Sequence, residues 1–280
     1  MNDRERVLIG APELIGLLNS ADRPAVLDVR WRLDEPDGRP DYLAGHLPGA
    51  VYVSLEDELS DHGVIGRGRH PLPSGAAVQA AARRWGLRRD RPVVVYDDWN
   101  RAGSARAWWV LTAAGIPGVR ILDGGLGAWM AAGGDLDQGT VDPLPGDVTV
   151  THDDLYAGAC PARSAEEVAG APAGTVLDAR APARFRGDVE PVDRIAGHIP
   201  GARNLPSTAV LAADGTFLPR GELAAVFGPV PDGVCVYCGS GVTASVVIAA
   251  LQTLGTEAAL FPGSWSQWSS EAERAVATGA

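Results

Sequence analysis

Four short β-branched runs, at residues 26–29, 93–96, 176–179 and 234–237, are each closed off by Pro, Gly or Asp. Unbroken apolar runs of this length fit strands covered on both faces, as in a parallel sheet. Alanine- and leucine-rich stretches with helical spacing occupy 76–85, 104–114, 222–227 and 242–254. Gly86, Gly115 and Gly255 stand where carboxy-terminal helix caps belong. This alternation predicts an α/β fold, a mostly parallel sheet flanked by helices.

The pattern occurs twice. V-L-D-V-R at 26–30 returns as V-L-D-A-R at 176–180, and G-H-L-P-G-A at 45–50 returns as G-H-I-P-G-A at 197–202. V-V-V-Y-D at 93–97 matches V-C-V-Y-C at 234–238, and D-G-G-L-G-A-W ending at Trp129 matches P-G-S-W-S-Q-W ending at Trp268. Four landmarks in one order, roughly 140 to 150 residues apart, define a tandem duplication. We divide the chain into a first domain over 1–136, a linker over 137–163 and a second domain over 164–280. The linker is punctuated by Pro and Gly, in Q-G-T-V-D-P-L-P-G-D. It is expected to pack along the surface, since Val148, Val150, Leu155 and Tyr156 would otherwise be exposed.

At 280 residues and 46% hydrophobic content the chain can bury two ordinary cores. The start, M-N-D-R-E-R-V-L-I-G, has no long apolar region, and the longest uncharged apolar run, 244–255, is too short to span a bilayer. A cytoplasmic, unexported protein is expected. Three cysteines, Cys160, Cys235 and Cys238, are odd in number and lack framework spacing, which fits a reducing compartment. Cys235 and Cys238 have C-x-x-C spacing, but no second pair or nearby His completes a zinc site, so no metal or cofactor is expected. The formal charge of −11 disfavours nucleic acid and anionic membrane as partners. An anionic substrate must therefore be held by a local cluster of arginines.

Cys238 has the most informative address. It directly follows a strand, precedes G-S-G, and lies before a helix expected to start near Val242 or Thr243, at the carboxyl end of the sheet where α/β folds bind ligands. Gly239 and Gly241 let successive backbone N–H groups turn inward, and the helix amino terminus adds partial positive charge. Such a cradle is expected to lower the thiol pKa and hold a thiolate ready as nucleophile. Cys235 lies inside its strand and is read as core.

These motifs, with W-W at 108–109, D-G-G-x-x-x-W at 123–129 and G-S-W-x-x-W at 263–268, resemble the two-domain rhodanese sulfurtransferases over nearly the whole chain. In that family the second domain alone carries the active cysteine, and Cys238 falls on that position. The first half has Asp97 there and resembles the inactive domain. The resemblance implies a persulfide on Cys238, filled by a small sulfur donor and emptied by a thiol, thioredoxin or cyanide. Thiosulfate-using members typically read C-R-K-G-V-T, whereas C-G-S-G-V-T resembles the 3-mercaptopyruvate type. Gly239 and Ser240 bring no charge, and losing two cations beside a departing sulfite costs about several kcal/mol. An enolate leaving group asks instead for hydrogen bonds, which the amides of residues 239–243, Val242 and Thr243 included, and the Ser240 hydroxyl can provide.

The family likeness also makes Arg184, in A-R-F-R-G, the anchor for a substrate carboxylate, a role suited to a bidentate guanidinium. The family's second arginine follows E-P; here the text is E-P-V-D-R, so Arg194 is the nearest replacement and Arg186 a competitor for the anchor. His70 lies where the family places a segment facing the active loop, and Glu56 or Asp57 resembles an acidic position grouped with it. His46 and His198 sit in the repeated turn shared by both halves and are read as structural.

Three rivals remain. Thiosulfate is the alternative donor. A C-x5-R phosphatase on this fold needs an arginine at 244, where the chain has Ala244, so the phosphate clamp is missing. A persulfide-carrying relay protein would keep Cys238 without its own donor.

Overall fold

The computed structural model describes residues 2–280. Its first sheet contains β1 (Leu8–Ile9), β2 (Ala25–Asp28), β3 (Val51–Tyr52), β4 (Val93–Tyr96) and β5 (Val119–Leu122), all parallel, in the order β1-β5-β4-β2-β3. The second contains β6 (Val176–Asp178), β7 (Arg203–Asn204), β8 (Cys235–Tyr237) and β9 (Ala259–Leu260), also parallel, in the order β7-β6-β8-β9. An isolated parallel bridge from Ala162 to Leu260 stands beside β9 as β1 stands beside β5, so the two sheets repeat one topology. The two-residue strands are too short to show a period in the sequence; β2, β4, β6 and β8 lie within a residue of their expected bounds, and β5 is a strand beyond the four expected.

The repeated motifs bind one another. Asp28, at the end of β2, accepts hydrogen bonds from Arg30 and from the Tyr96 hydroxyl at the end of β4, and Arg30 reaches the Gly45 carbonyl. In the second half Asp178 pairs with Arg180 at 2.6 Å, Arg180 donates to the Gly197 carbonyl at 2.7 Å, and the Tyr237 hydroxyl accepts from Ile199 N at 3.1 Å. Strand end, neighbouring strand and G-H-x-P turn are thus locked by one buried network per half. The histidines fix the turn from beneath: His46 Nδ1 meets the Tyr42 carbonyl and His198 Nδ1 the Phe185 carbonyl, each at 2.8 Å, with each ring stacked on that aromatic side chain.

Two helices meet at the junction of the halves. Ala102–Ala113 and Ala244–Thr253 are buried nearly all round, as helices covered by two domains must be. Gly103 permits the first to approach the sheet, since a Cβ there would lie 1.9 Å from the Val29 carbonyl oxygen. Apolar side chains from both halves, Trp109 and Val247 among them, form one continuous cluster. Arg4 adds a polar tie: it pairs with Asp123 at 2.8 Å and donates to the Phe217 and Leu218 carbonyls. The connecting segment lies against the first half, with Val148 and Leu155 buried and Val150 and Tyr156 partly so. This arrangement brings the carboxyl end of β8 against loops of the first domain.

Candidate active site

Cys238 directly follows β8 and is 2% exposed. The turn after it runs through Gly241 at φ +79°, a left-handed conformation that favours glycine, and a Cβ there would also lie 2.6 Å from the Pro262 carbonyl oxygen. This turn aims the Gly241 N–H back at the sulfur, with N to Sγ at 3.2 Å. Val242 is buried, and the half-buried Thr243 caps the ten-residue helix Ala244–Thr253, which begins one to two residues later than its sequence suggests. The P-G-S-W segment braces the loop from behind. Ser264 Oγ accepts from Cys238 N at 3.1 Å, and Trp265 N and Ser266 N donate to the Cys238 and Gly239 carbonyls. The other two cysteines are poor nucleophiles, since burial pushes Cys160 and Cys235 up to about 12.

A chain of polar side chains reaches the loop from the first domain. Ser240 Oγ lies 2.7 Å from His70 Nδ1, and His70 Nε2 lies 3.0 Å from Glu56 Oε1. Glu56 sits on the helix Leu55–Glu58, while neighbouring Asp57 is used locally by the N-cap Ser54, which donates to it at 2.8 Å. Trp31 Nε1 donates to Glu56 at 2.6 Å and its ring meets His70 edge-on. Half-burial pushes the Glu56 carboxyl up, but hydrogen bonds from His70 and Trp31 outweigh it and hold it at about 2. His70 moves down from 6.5: burial is the largest cause, Glu56 opposes it, and Arg106 and Arg69 reinforce it. A neutral His70 whose Nε2–H faces an ionised carboxylate offers Nδ1 as acceptor, so Ser240 donates its hydroxyl proton to it. Arg106, fully buried on the helix Ala102–Ala113, donates to the His70 and Leu59 carbonyls at 3.0 Å and fixes this segment.

Two guanidiniums stand over Gly239. A Cβ there would lie 3.2 Å from Arg69 Nη2 and 3.6 Å from Arg184 Nη1. Arg184 comes from the short helix Pro182–Arg186, and Arg69 from the first domain next to His70. The loop itself is uncharged, yet its surroundings are not: a cluster of arginines is present, and the guanidinium beside Arg184 belongs to Arg69. Arg194 is exposed, and the residue beside it, Asp193, points into the site instead, pairing with Arg69 and with Arg184 at 3.1 Å. Arg186 is occupied on the surface by Asp188 at 2.7 Å.

The equivalent loop of the first half is folded around a carboxylate. Asp97 accepts from Trp99 N, Arg101 N, Ser104 N and Ser104 Oγ, and pairs with Arg101 at 2.8 Å. Where the second half holds a sulfur, the first holds a carboxylate whose hydrogen bonds are already taken up within its own loop.

Sequence reasoning weighed Glu56 and His70 but missed Arg69, Arg106, Ser264 and Asp193. The run R-G-R-H at 67–70 signalled a charged approach to His70. Nothing local marks Asp193, whose partner Arg69 is 124 residues away.

Comparison with known proteins gives the same picture. The Rhodanese-like domain family matches residues 11–132 and again 162–271. A Mycobacterium tuberculosis protein named "Putative thiosulfate sulfurtransferase SseB" is 64% identical, the match covering 100% of this chain and 99% of the relative. A "Probable 3-mercaptopyruvate sulfurtransferase" from Pseudomonas aeruginosa is 43% identical over 97% of this chain and 98% of its own. The crystal structure of SseA from Escherichia coli, described as a 3-mercaptopyruvate sulfotransferase with the rhodanese fold, superposes with a TM-score of 0.80 at 32% identity, covering 92% of this chain and 98% of that one.

Proposed function

The chain belongs to the rhodanese-like family, whose domain it carries twice in tandem, and we propose that it transfers sulfur from 3-mercaptopyruvate through a persulfide on Cys238. It is a sulfurtransferase. The observation that carries the residue assignment is the Gly241 N–H directed at Cys238 Sγ, within reach of a Ser240–His70–Glu56 relay.

The reaction has two halves. Cys238 thiolate attacks the thiol sulfur of 3-mercaptopyruvate, and the carbon–sulfur bond breaks with its electron pair passing to carbon, giving the pyruvate enolate. The enolate takes a proton to become pyruvate, and Cys238 is left as a persulfide. Ser240, polarised by His70, lies in position to receive the donor's thiol proton and return it to the enolate carbon. Arg184 and Arg69 hold the carboxylate, and the loop amides stabilise the sulfur anion. An acceptor thiolate then attacks the outer sulfur and restores the Cys238 thiolate. The acceptor is a small thiol, thioredoxin or cyanide. In this reading residues 1–136 form a silent domain that supplies His70, Glu56 and Arg69, residues 137–163 link, and residues 164–280 carry the nucleophile.

Thiosulfate is the second reading, favoured by the name of the Mycobacterium tuberculosis relative. Against it stand the uncharged Gly239 and Ser240. Pyruvate release from 3-mercaptopyruvate compared with sulfite release from thiosulfate, at equal enzyme and acceptor, decides between them. Faster turnover on thiosulfate overturns the donor assignment. We place the protein in the cytoplasm on its three unpaired cysteines. Among the described residues no helix is long and apolar enough to cross a membrane.

A further inference from the structure

Asp193 has an unusual position for a carboxylate in an anion-binding site. It lies on the turn between the helix Pro182–Arg186 and the G-H-I-P-G-A motif, with exposed neighbours Val192 and Arg194, yet its own side chain is only 5% exposed. It is held from both domains at once, by Arg69 of the first and Arg184 of the second. These are the two guanidiniums that stand over Gly239, one residue from the nucleophile.

The cluster extends inward. Arg184 also pairs with Glu190 at 2.6 Å, Glu190 meets Arg180 at 3.3 Å, and Arg180 is held by Asp178 at 2.6 Å. Three guanidiniums, those of Arg69, Arg180 and Arg184, face three carboxylates, those of Asp178, Glu190 and Asp193. The formal balance is zero. Glu190 holds Arg184 from one side, at 2.6 Å to Nη2 and 3.2 Å to Nε, and Asp178 holds Arg180, so Asp193 is the carboxylate shared by the two guanidiniums that stand over Gly239.

We infer that Asp193 is a donor-selecting residue, whose carboxylate neutralises the Arg69–Arg184 pair so that the site accepts a singly charged donor and disfavours a doubly charged one. The inference rests on the reading of Cys238 as the sulfur carrier. A monocarboxylate entering beside Cys238 shares these arginines with Asp193 and takes the formal balance to −1. A dianion such as thiosulfate takes it to −2, with no spare cation to match it. Because Coulomb energy scales with the ligand's charge, the penalty from one fixed carboxylate is twice as large for the dianion. In affinity, that makes its effect on a dianion about the square of its effect on a monoanion.

Calorimetry on Cys238→Ser protein, which binds donors without reacting, tests this with pyruvate as the monoanion and thiosulfate as the dianion. Adding Asp193→Asn is expected to tighten pyruvate about fivefold and thiosulfate about 25-fold, with the thiosulfate gain shrinking as salt is raised. Asp193→Ala guards against a new hydrogen bond from the amide and is expected to give the same ordering. Equal tightening of both anions, no change, or weakening of both would overturn the inference; the last outcome would make Asp193 a mere brace for the arginines. In protein with Cys238 intact, the ratio of kcat/KM for thiosulfate to that for 3-mercaptopyruvate should rise with Asp193→Asn. The calorimetry needs no turnover, so an enzyme that fails on 3-mercaptopyruvate would refute the proposed donor while leaving the charge effect separately measurable.

Discussion

Ser240 and His70, 170 residues apart and in different halves of the chain, meet at 2.7 Å beside Cys238. In the proposed reaction the nucleophile belongs to the second domain, and the group that polarises its neighbour belongs to the first. On that proposal a domain with no cysteine of its own at the matching position still contributes chemistry.

If Ser240 and His70 act as one relay, removing either costs about the same. Ser240→Ala and His70→Gln should each lower kcat with 3-mercaptopyruvate roughly 100-fold, the size of an ordinary acid–base contribution. The double variant should fall little further, because residues acting as a unit are not additive. Steady-state pyruvate release reads all three.

The same relay sets an acid limit. Only neutral His70 can accept the Ser240 proton, and its pKa in the fold lies below 6.5, chiefly from burial. Activity should hold as pH falls to 6.5 and then drop at lower pH, following protonation of His70. Glu56→Gln removes the carboxylate that favours the protonated ring, so the acid limb should shift to still lower pH while kcat falls from loss of orientation.

Stability follows the same signs. Between its folded-state pKa and 6.5 the unfolded chain binds the His70 proton and the folded chain does not, so stability falls as pH drops through that window. Glu56, held at about 2 against an ordinary 4.5, contributes stability that is complete above 4.5 and lost as pH falls from 4.5 toward 2. Thermal melts across this range should show Tm declining below pH 6.5 and again below 4.5, and Glu56→Gln should blunt the second decline.

Writing an arginine into the loop should shift the donor preference toward thiosulfate. A side chain at 239 begins 3.2 Å from Arg69 Nη2 and 3.6 Å from Arg184 Nη1, and Gly239→Arg adds one cation to a cluster in which Asp193 and Glu190 already pair with those arginines. The ratio of kcat/KM for thiosulfate to that for 3-mercaptopyruvate should rise about tenfold or more.

Much of this architecture can be read along the chain. L-D-x-R and G-H-x-P-G-A stand out because each half repeats them, and their buried contacts to one another explain why the residue types recur together. Cys238, Ser240 and Gly241 are legible because a strand, a glycine turn and a helix start lie within ten residues. Arg69 over Gly239, Arg106 under His70, and Asp193 between two arginines are not, since each contact joins segments far apart in sequence. The short strands β1, β3, β7 and β9 are set by pairing with their neighbours, and two residues carry no period to detect.

Asp97 should matter for folding and not for sulfur chemistry. Arg101 is 1% exposed, and Asp97→Ala leaves that guanidinium buried without its carboxylate. A loss of about 3 to 5 kcal/mol is expected in denaturant unfolding, the usual cost of stripping one partner from a buried pair. Sulfur loading of Cys238 in the folded fraction should be unchanged.

The central claim is that Cys238 carries the transferred sulfur, and intact-mass measurement after incubation with 3-mercaptopyruvate, without acceptor, tests it most directly. The account predicts a gain of one sulfur atom that cyanide or a thiol removes, that Cys238→Ser abolishes, and that thiosulfate produces far more slowly. Loading that persists in Cys238→Ser protein, or that thiosulfate matches in rate, would contradict it.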